Sequence, residues 1–192
     1  MNMMMFPKML ASHDEGWKWL AEMHPSVARV FALYVMPMAL IPPAMVLYAV
    51  SAYGDRFLTP VSMQDAWAMA ILFYASELLA VPVMAAVIQR LGDIVDARPT
   101  YHDAFAFSAA VPTPLWLSPL ALFVPSLAVM GMAMTAALLI SGILIYRGSY
   151  QLCHLSSESQ SKILSGAILA AGLVGWVILM IIAFVSWGWV VS

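Results

Sequence analysis

The sequence predicts an all-α membrane protein: a bundle of five transmembrane helices with its N-terminus inside and its C-terminus outside the cytoplasm. Composition is the first observation behind this class, since 64% of the 192 residues are hydrophobic and only 9% are charged. Soluble chains are about 45–50% apolar and about 25% charged. Soluble enzymes, disulfide scaffolds and disordered chains are therefore excluded. Eight lysines and arginines at a net charge of −2 leave no basic surface for nucleic acid.

Hydropathy patterning is the second observation, because five apolar stretches reach the roughly 20 residues that a helix needs to cross a bilayer. They are residues 30–52, 66–88, 104–123, 126–146 and 163–185. No charge interrupts residues 104–146, which are too long for one crossing. Pro125 and Ser126 mark the turn between the third and fourth spans, because a proline there cannot continue the incoming helix.

The beginnings of the helices carry capping signals. Ser62 stands three residues before Asp65 and Thr100 three before Asp103, so that each hydroxyl can accept from a free backbone N–H of the first turn. We assign residues 1–25 to a cytoplasmic segment in which Ser12–Met23 forms a short amphipathic helix at the membrane surface. Residues 26–192 form one five-span membrane domain.

The positive residues set the predicted orientation. If the five spans alternate in direction, all lysines and arginines except Arg56 lie on the side of the N-terminus. Cytoplasmic loops carry such an excess, so the N-terminus is expected inside and the C-terminus outside.

Glu77 is the acidic residue that lies well inside a span, near the middle of the second one. A charge there is costly, about 2.5–3.5 kcal/mol on insertion scales, so the side chain should face protein or water. Tyr74, one helical turn earlier, could donate a hydrogen bond to it. Two interpretations stay open: a site for a proton or cation, and a polar tie between helices.

Prolines interrupt the first span at Pro37, Pro42 and Pro43 and the third at Pro112, Pro114 and Pro119. Each removes a donor from the carbonyl four residues earlier, which frees Ala110 and Leu115 among others. In lipid such carbonyls must find partners within the protein, so we expect an irregular third span whose prolines face inward. Broken helices line transporter sites, while kinked packing helices are the alternative interpretation.

No catalytic or nucleotide-binding motif occurs in the chain, so we predict no enzyme activity and no cofactor. The loop between the second and third spans offers weak candidates for metal ligands: Asp93, Asp96, His102 and Asp103. The last two belong to the capping box at Thr100, and polar loops commonly hold acidic residues. We therefore predict no metal site there.

The stretch Tyr101–Pro125 carries the element Thr113, Pro114, Leu115, Trp116 and Leu117. It resembles the bacterial branch of the Yip family, the Ypt/Rab-interacting membrane proteins. In that branch a short cytoplasmic loop leads into a span with a Thr-Pro-x-Trp-Leu element. The resemblance implies a five-span protein of the bacterial inner membrane and transfers no catalytic residues.

Three functions remain open at this point. The leading expectation is a membrane-organising or partner-binding protein that contacts lipid and other membrane proteins or itself. The short segment before the first span speaks against GTPase binding. The alternatives are a small transporter or channel for protons or cations that uses Glu77 and the broken helices, and a small subunit of a larger membrane complex.

Overall fold

The computed structural model describes residues 26–54, 61–95, 99–152 and 158–191, which form helices and short connections without any strand. Five helices in these ranges are long and apolar enough to cross a membrane: span 1, Val27–Tyr53; span 2, Met63–Ile94; span 3, Tyr101–Phe123; span 4, Leu127–Ser149; and span 5, Lys162–Ser186. The all-α class and the five spans are thus confirmed. The amphipathic helix expected at Ser12–Met23 lies outside the described residues.

Capping side chains start spans 2 and 3 where the sequence places them. The Ser62 hydroxyl accepts from the Asp65 backbone N–H at 3.1 Å and donates to the Asp65 carboxylate at 2.5 Å. Thr100 makes the same two contacts with Asp103, at 3.3 and 2.5 Å. Each box satisfies a backbone donor that the first helical turn leaves free.

Span 1 is a helix with two irregularities, both beside prolines. Residues Phe31–Val35 form a π-helical turn immediately before Met36–Ala39, which contains Pro37. The α-helix then breaks at Leu40 and resumes as Ile41–Tyr53 at the pair Pro42 and Pro43. Proline cannot donate to the preceding turn, so the helix widens and breaks there.

Span 3 is the most irregular of the five. Helix Tyr101–Ala110 ends in a turn at Val111 and Pro112, a short helix Thr113–Leu117 follows, and Ser118–Phe123 is a 3₁₀-helix. Val124 is extended, as the residue before a proline prefers, and the chain reverses there before helix Leu127–Leu152. The predictions of an irregular third span and of a turn at Pro125 and Ser126 are confirmed.

Span 3 lies at the centre of the bundle, where it packs against span 2, while span 5 is the least buried. Three segments contribute to the core: the helical turn at Tyr34 and Val35 in span 1, the stretch from Val81 to Ile88 in span 2, and most of helix Tyr101–Ala110. We call the end of the bundle where span 1 begins the near side; spans 2 and 3 also connect there. The other end, where spans 1 and 2 connect, is the far side.

Candidate functional site

Glu77 lies in the middle of span 2 and points into the bundle. Only 6% of its surface is exposed. The indole of Trp116 in span 3 lies close enough to its carboxyl for the two side chains to interact. Its Oε2 atom is buried and has no hydrogen-bond partner among the described residues. At least this oxygen therefore lacks a partner, a costly state for a polar group inside an apolar bundle.

Trp116 reaches Glu77 because span 3 is broken. The short helix Thr113–Leu117 begins after the turn at Pro112, and it buries Thr113, Pro114 and Trp116 while Leu117 remains exposed. The indole is 3% exposed and packs edge-on against the ring of Tyr34, with centroids 6.4 Å apart at 61°. The structure thus joins two features that the sequence presents separately, the acid of span 2 and the tryptophan of the Thr-Pro-x-Trp-Leu element.

Two hydroxyl groups, those of Tyr34 and Thr113, link span 1 to the short helix that carries Trp116. The Thr113 hydroxyl donates to the Ala110 carbonyl at 2.7 Å, and it lies 2.5 Å from the Tyr34 hydroxyl. Since the threonine has one proton to donate, Tyr34 donates to Thr113. Pro114 denies Ala110 its helical partner, so the threonine replaces the missing N–H.

Other serines satisfy carbonyls of the same span in the same way. Ser118 donates to the Leu115 carbonyl at 2.9 Å, which Pro119 leaves without its helical donor. Ser141 of span 4 donates to the Val111 carbonyl at 3.0 Å. Internal hydroxyls therefore make the broken backbone of span 3 compatible with a membrane.

Tyr74 does not pair with Glu77, although the sequence suggests that it could. Its hydroxyl donates to the Met36 carbonyl of span 1 at 3.1 Å. Residues three apart on a helix differ in direction by about 60°, which turns Tyr74 toward span 1 and Glu77 toward span 3. Met36 lies one turn before the break at Leu40, where its carbonyl is open to a partner from the neighbouring helix.

Two cavities meet at Glu77. The near cavity, about 140 Å³, extends toward the near side along Met84 and Ile88 of span 2. The far cavity, about 300 Å³, extends the other way along Phe73 and Met69. Of the residues that the structure describes, six line both cavities: Glu77, Pro112, Leu115, Trp116, Trp176 and Leu179. The carboxyl and residues of the short helix of span 3 therefore line two cavities that extend into opposite halves of the bundle.

The walls of both cavities are largely apolar, and Glu77 is the single ionisable side chain among the described residues that line them. A cavity of about 150 Å³ with apolar walls can stay dry and bind a small aromatic molecule. A carboxyl in such walls fits a ligand that has one positive charge and an apolar body.

The weak candidates for metal ligands between spans 2 and 3 do not come together among the described residues. Asp93 is exposed, Asp103 caps span 3, and Asp96 lies outside the described residues. In the part of the chain that the structure describes, no three histidine, cysteine or acidic side chains come together. The Nε2 atom of His102 is buried there without a hydrogen-bond partner.

Sequence reasoning missed two members of the site, Tyr34 and Trp176. Tyr34 is the lone phenol between Val30 and Pro37, and a hydroxyl in so apolar a stretch indicates a partner within the bundle. Trp176 follows Gly175 in span 5, but the pattern of that span gives no sign of which face meets Glu77.

Comparisons with known proteins agree with this architecture. Inner membrane protein YohC of Escherichia coli strain K12 is 26% identical over 185 residues, with 94% of each chain covered. The protein of the same name from Escherichia coli strain CFT073 has the same identity and coverage. No solved structure matches the chain. With five membrane-spanning helices and this relative, the protein is a multi-pass protein of the inner membrane. The Yip1 domain matches residues 8–179, and the chain therefore belongs to the Yip1 family.

Proposed function

We propose that the protein is a small non-catalytic carrier that exchanges a proton for a cation at Glu77. The observation that carries the proposal is the position of this carboxyl, which lines both the near and the far cavity. A group that two cavities in opposite halves of a bundle share can meet a ligand from either side of a membrane. Transporters often hold such a site near the bilayer midplane, between discontinuous helices.

Electrostatics favours a Glu77 carboxyl that exchanges a proton for a cation over one that stays charged and unpaired. An isolated carboxylate in apolar surroundings is so unfavourable that it takes up a proton or pairs with a cation. The described residues of the two linings contain no lysine, arginine or histidine that could pair with Glu77. The core tyrosines are committed elsewhere, since Tyr34 contacts Thr113 and Tyr74 donates to Met36. A proton and an incoming cation therefore compete for one carboxyl.

The broken third span supplies the partition between the two cavities. Trp116 lies beside the carboxyl and sits on a five-residue helix with a turn on one side and a 3₁₀-helix on the other. Such a segment can shift with fewer lost hydrogen bonds than a continuous helix, because the turn and the prolines already interrupt its backbone ladder. Displacement of Trp116 would open Glu77 further to one cavity or the other.

Proton–cation exchange can be measured in proteoliposomes with an acidic lumen that contains a pH-sensitive dye. Na⁺, K⁺ or benzyltrimethylammonium is added outside, and entry of a cation in exchange for a proton raises the lumenal pH. We expect at least one of these cations to raise it with the parent protein. Glu77→Gln should abolish the response, since the amide keeps the shape but cannot exchange a proton.

Tyr74→Phe is the matched control, because it changes the same helix one turn away and lies outside both linings. It should transport as the parent does. Thermal unfolding in detergent shows whether each variant is folded. A folded parent that responds to none of the three cations, or a Glu77→Gln variant that responds normally, would refute the carrier. The organising or partner-binding role, for which Glu77 is a structural tie, would then become the better hypothesis.

A further inference from the structure

We infer that the ligand of Glu77 is an apolar organic ammonium ion, held mainly in the far cavity; this inference rests on the proposed carrier function and specifies its substrate class. The first reason is the scarcity of oxygen atoms. Hard metal cations such as Ca²⁺ and Mg²⁺ take about six to eight oxygen ligands. Among the described residues that line the far cavity, only two besides Glu77 have a side-chain oxygen, Ser118 and Ser186. Both hydroxyls donate to carbonyls of their own helices, at 2.9 and 2.8 Å. A hydrated inorganic ion would lose far more hydration free energy on entering this cavity than contacts with its walls could restore.

The aromatic side chains of the far cavity suit an organic cation. Phe73, Trp116 and Trp176 line it together with the carboxyl. The faces of such rings attract ammonium groups, and tryptophan does so most strongly. The positive charge can thus pair with Glu77 while its alkyl groups contact the rings.

The rest of the wall suits the apolar body of the ligand. Four methionines contribute to it from three different spans: Met69, Met130, Met134 and Met180. Methionine is flexible and polarisable, and proteins use it at surfaces that adapt to varied apolar ligands. The far cavity, at about 300 Å³, is also roughly twice the size of the near one. We therefore expect the far cavity to accept apolar bodies of different shapes but to require the positive charge of the ligand.

The same walls distinguish a free amine from a phospholipid headgroup that carries one. A zwitterionic headgroup would bring a phosphate with its ammonium group. The described residues of both linings hold no cationic side chain to meet that phosphate. Because the phosphate of phosphatidylethanolamine would have no cationic partner among these residues, a free organic cation fits the site better.

Binding can be tested on the full-length protein in nanodiscs made without phosphatidylethanolamine. Equilibrium dialysis measures benzyltrimethylammonium, and neopentylbenzene serves as its uncharged counterpart of the same shape. We expect the cation to bind at one site and the neutral compound to bind at least tenfold more weakly. Glu77→Gln should weaken cation binding by at least tenfold, and Tyr74→Phe should leave it unchanged. Trp176→Leu should weaken it roughly 2- to 30-fold, the range that a cation–π contact supplies.

Three results would overturn the inference: no binding of benzyltrimethylammonium, equal binding of its neutral counterpart, or unchanged binding by a folded Glu77→Gln variant. Competition by phosphatidylethanolamine in matched nanodiscs would assign the site to a lipid headgroup instead.

The two proposals can fail separately. Glu77-dependent binding without any rise of lumenal pH would refute the carrier and leave the ligand class standing. A rise of lumenal pH with Na⁺ or K⁺, without binding of benzyltrimethylammonium, would keep the carrier and refute the organic cation.

Discussion

Removal of the Thr113 hydroxyl should destabilise the protein by an amount that depends on the proline beside it. Thr113→Val keeps the volume but deprives the Ala110 carbonyl of its donor at 2.7 Å. An unsatisfied buried acceptor costs about 1–3 kcal/mol. Pro114→Ala restores a backbone N–H four residues after Ala110, so the carbonyl regains a helical partner. We therefore expect Thr113→Val to cost about 2 kcal/mol in the parent and less than half of that beside Pro114→Ala.

The Tyr34 phenol complicates this comparison, because it also loses its acceptor when Thr113 becomes valine. All variants should therefore be made with Tyr34→Phe, which by itself should cost about 0.6 kcal/mol, the average for hydrogen bonds between membrane helices. Reversible unfolding in mixed micelles gives the free energies. An equal cost of Thr113→Val with and without Pro114 would show that the threonine does not replace a donor that proline removes.

Two further outcomes are expected. Gly92→Ala should lower stability by about 1–3 kcal/mol, because its Cβ would come within 2.3 Å of the Pro99 side chain. Gly131→Ala should be neutral or stabilising, because a Cβ there would have nothing within 4 Å. Thermal unfolding compares the two variants, and equal melting temperatures would contradict the packing of Gly92 against Pro99. A reporter active only outside the cytoplasm should be active when fused after Ser192 and inactive after Ser157, as the positive residues predict; the opposite pair of activities would reverse the orientation.

The number of spans, the capping residues of spans 2 and 3 and the turn before span 4 were predictable because they depend on local properties. A bilayer requires a long apolar run, and the sequence has five of them. The capping residues Ser62 and Thr100 act within three residues of their own position, so spacing alone reveals them. The turn at Pro125 follows from the ring that blocks a helix. Each of these features is decided by neighbours along the chain.

The sequence predicted that the freed carbonyls have partners within the protein, but it did not identify those partners. Proline positions identify Ala110 and Leu115 as acceptors without a helical donor. In both cases the donor is the hydroxyl three residues later in the chain, Thr113 or Ser118, a local pattern that the sequence could have shown. The Met36 carbonyl differs, because its donor is Tyr74 of another span. Only the packing of spans 1 and 2 decides that contact.

The meeting of Glu77 and Trp116 was beyond sequence reasoning because it depends on how one helix is rotated against another. Glu77 lies on a continuous helix, so its direction relative to Tyr74 is fixed by the helical period. Trp116 lies on a helix of five residues that starts afresh after the turn at Pro112, so the period of Tyr101–Ala110 does not fix its direction. The prolines that make span 3 hard to read thereby turn its tryptophan toward the acid. A continuous third helix would keep its carbonyls satisfied, but the period of Tyr101–Ala110 would then fix the direction of Trp116.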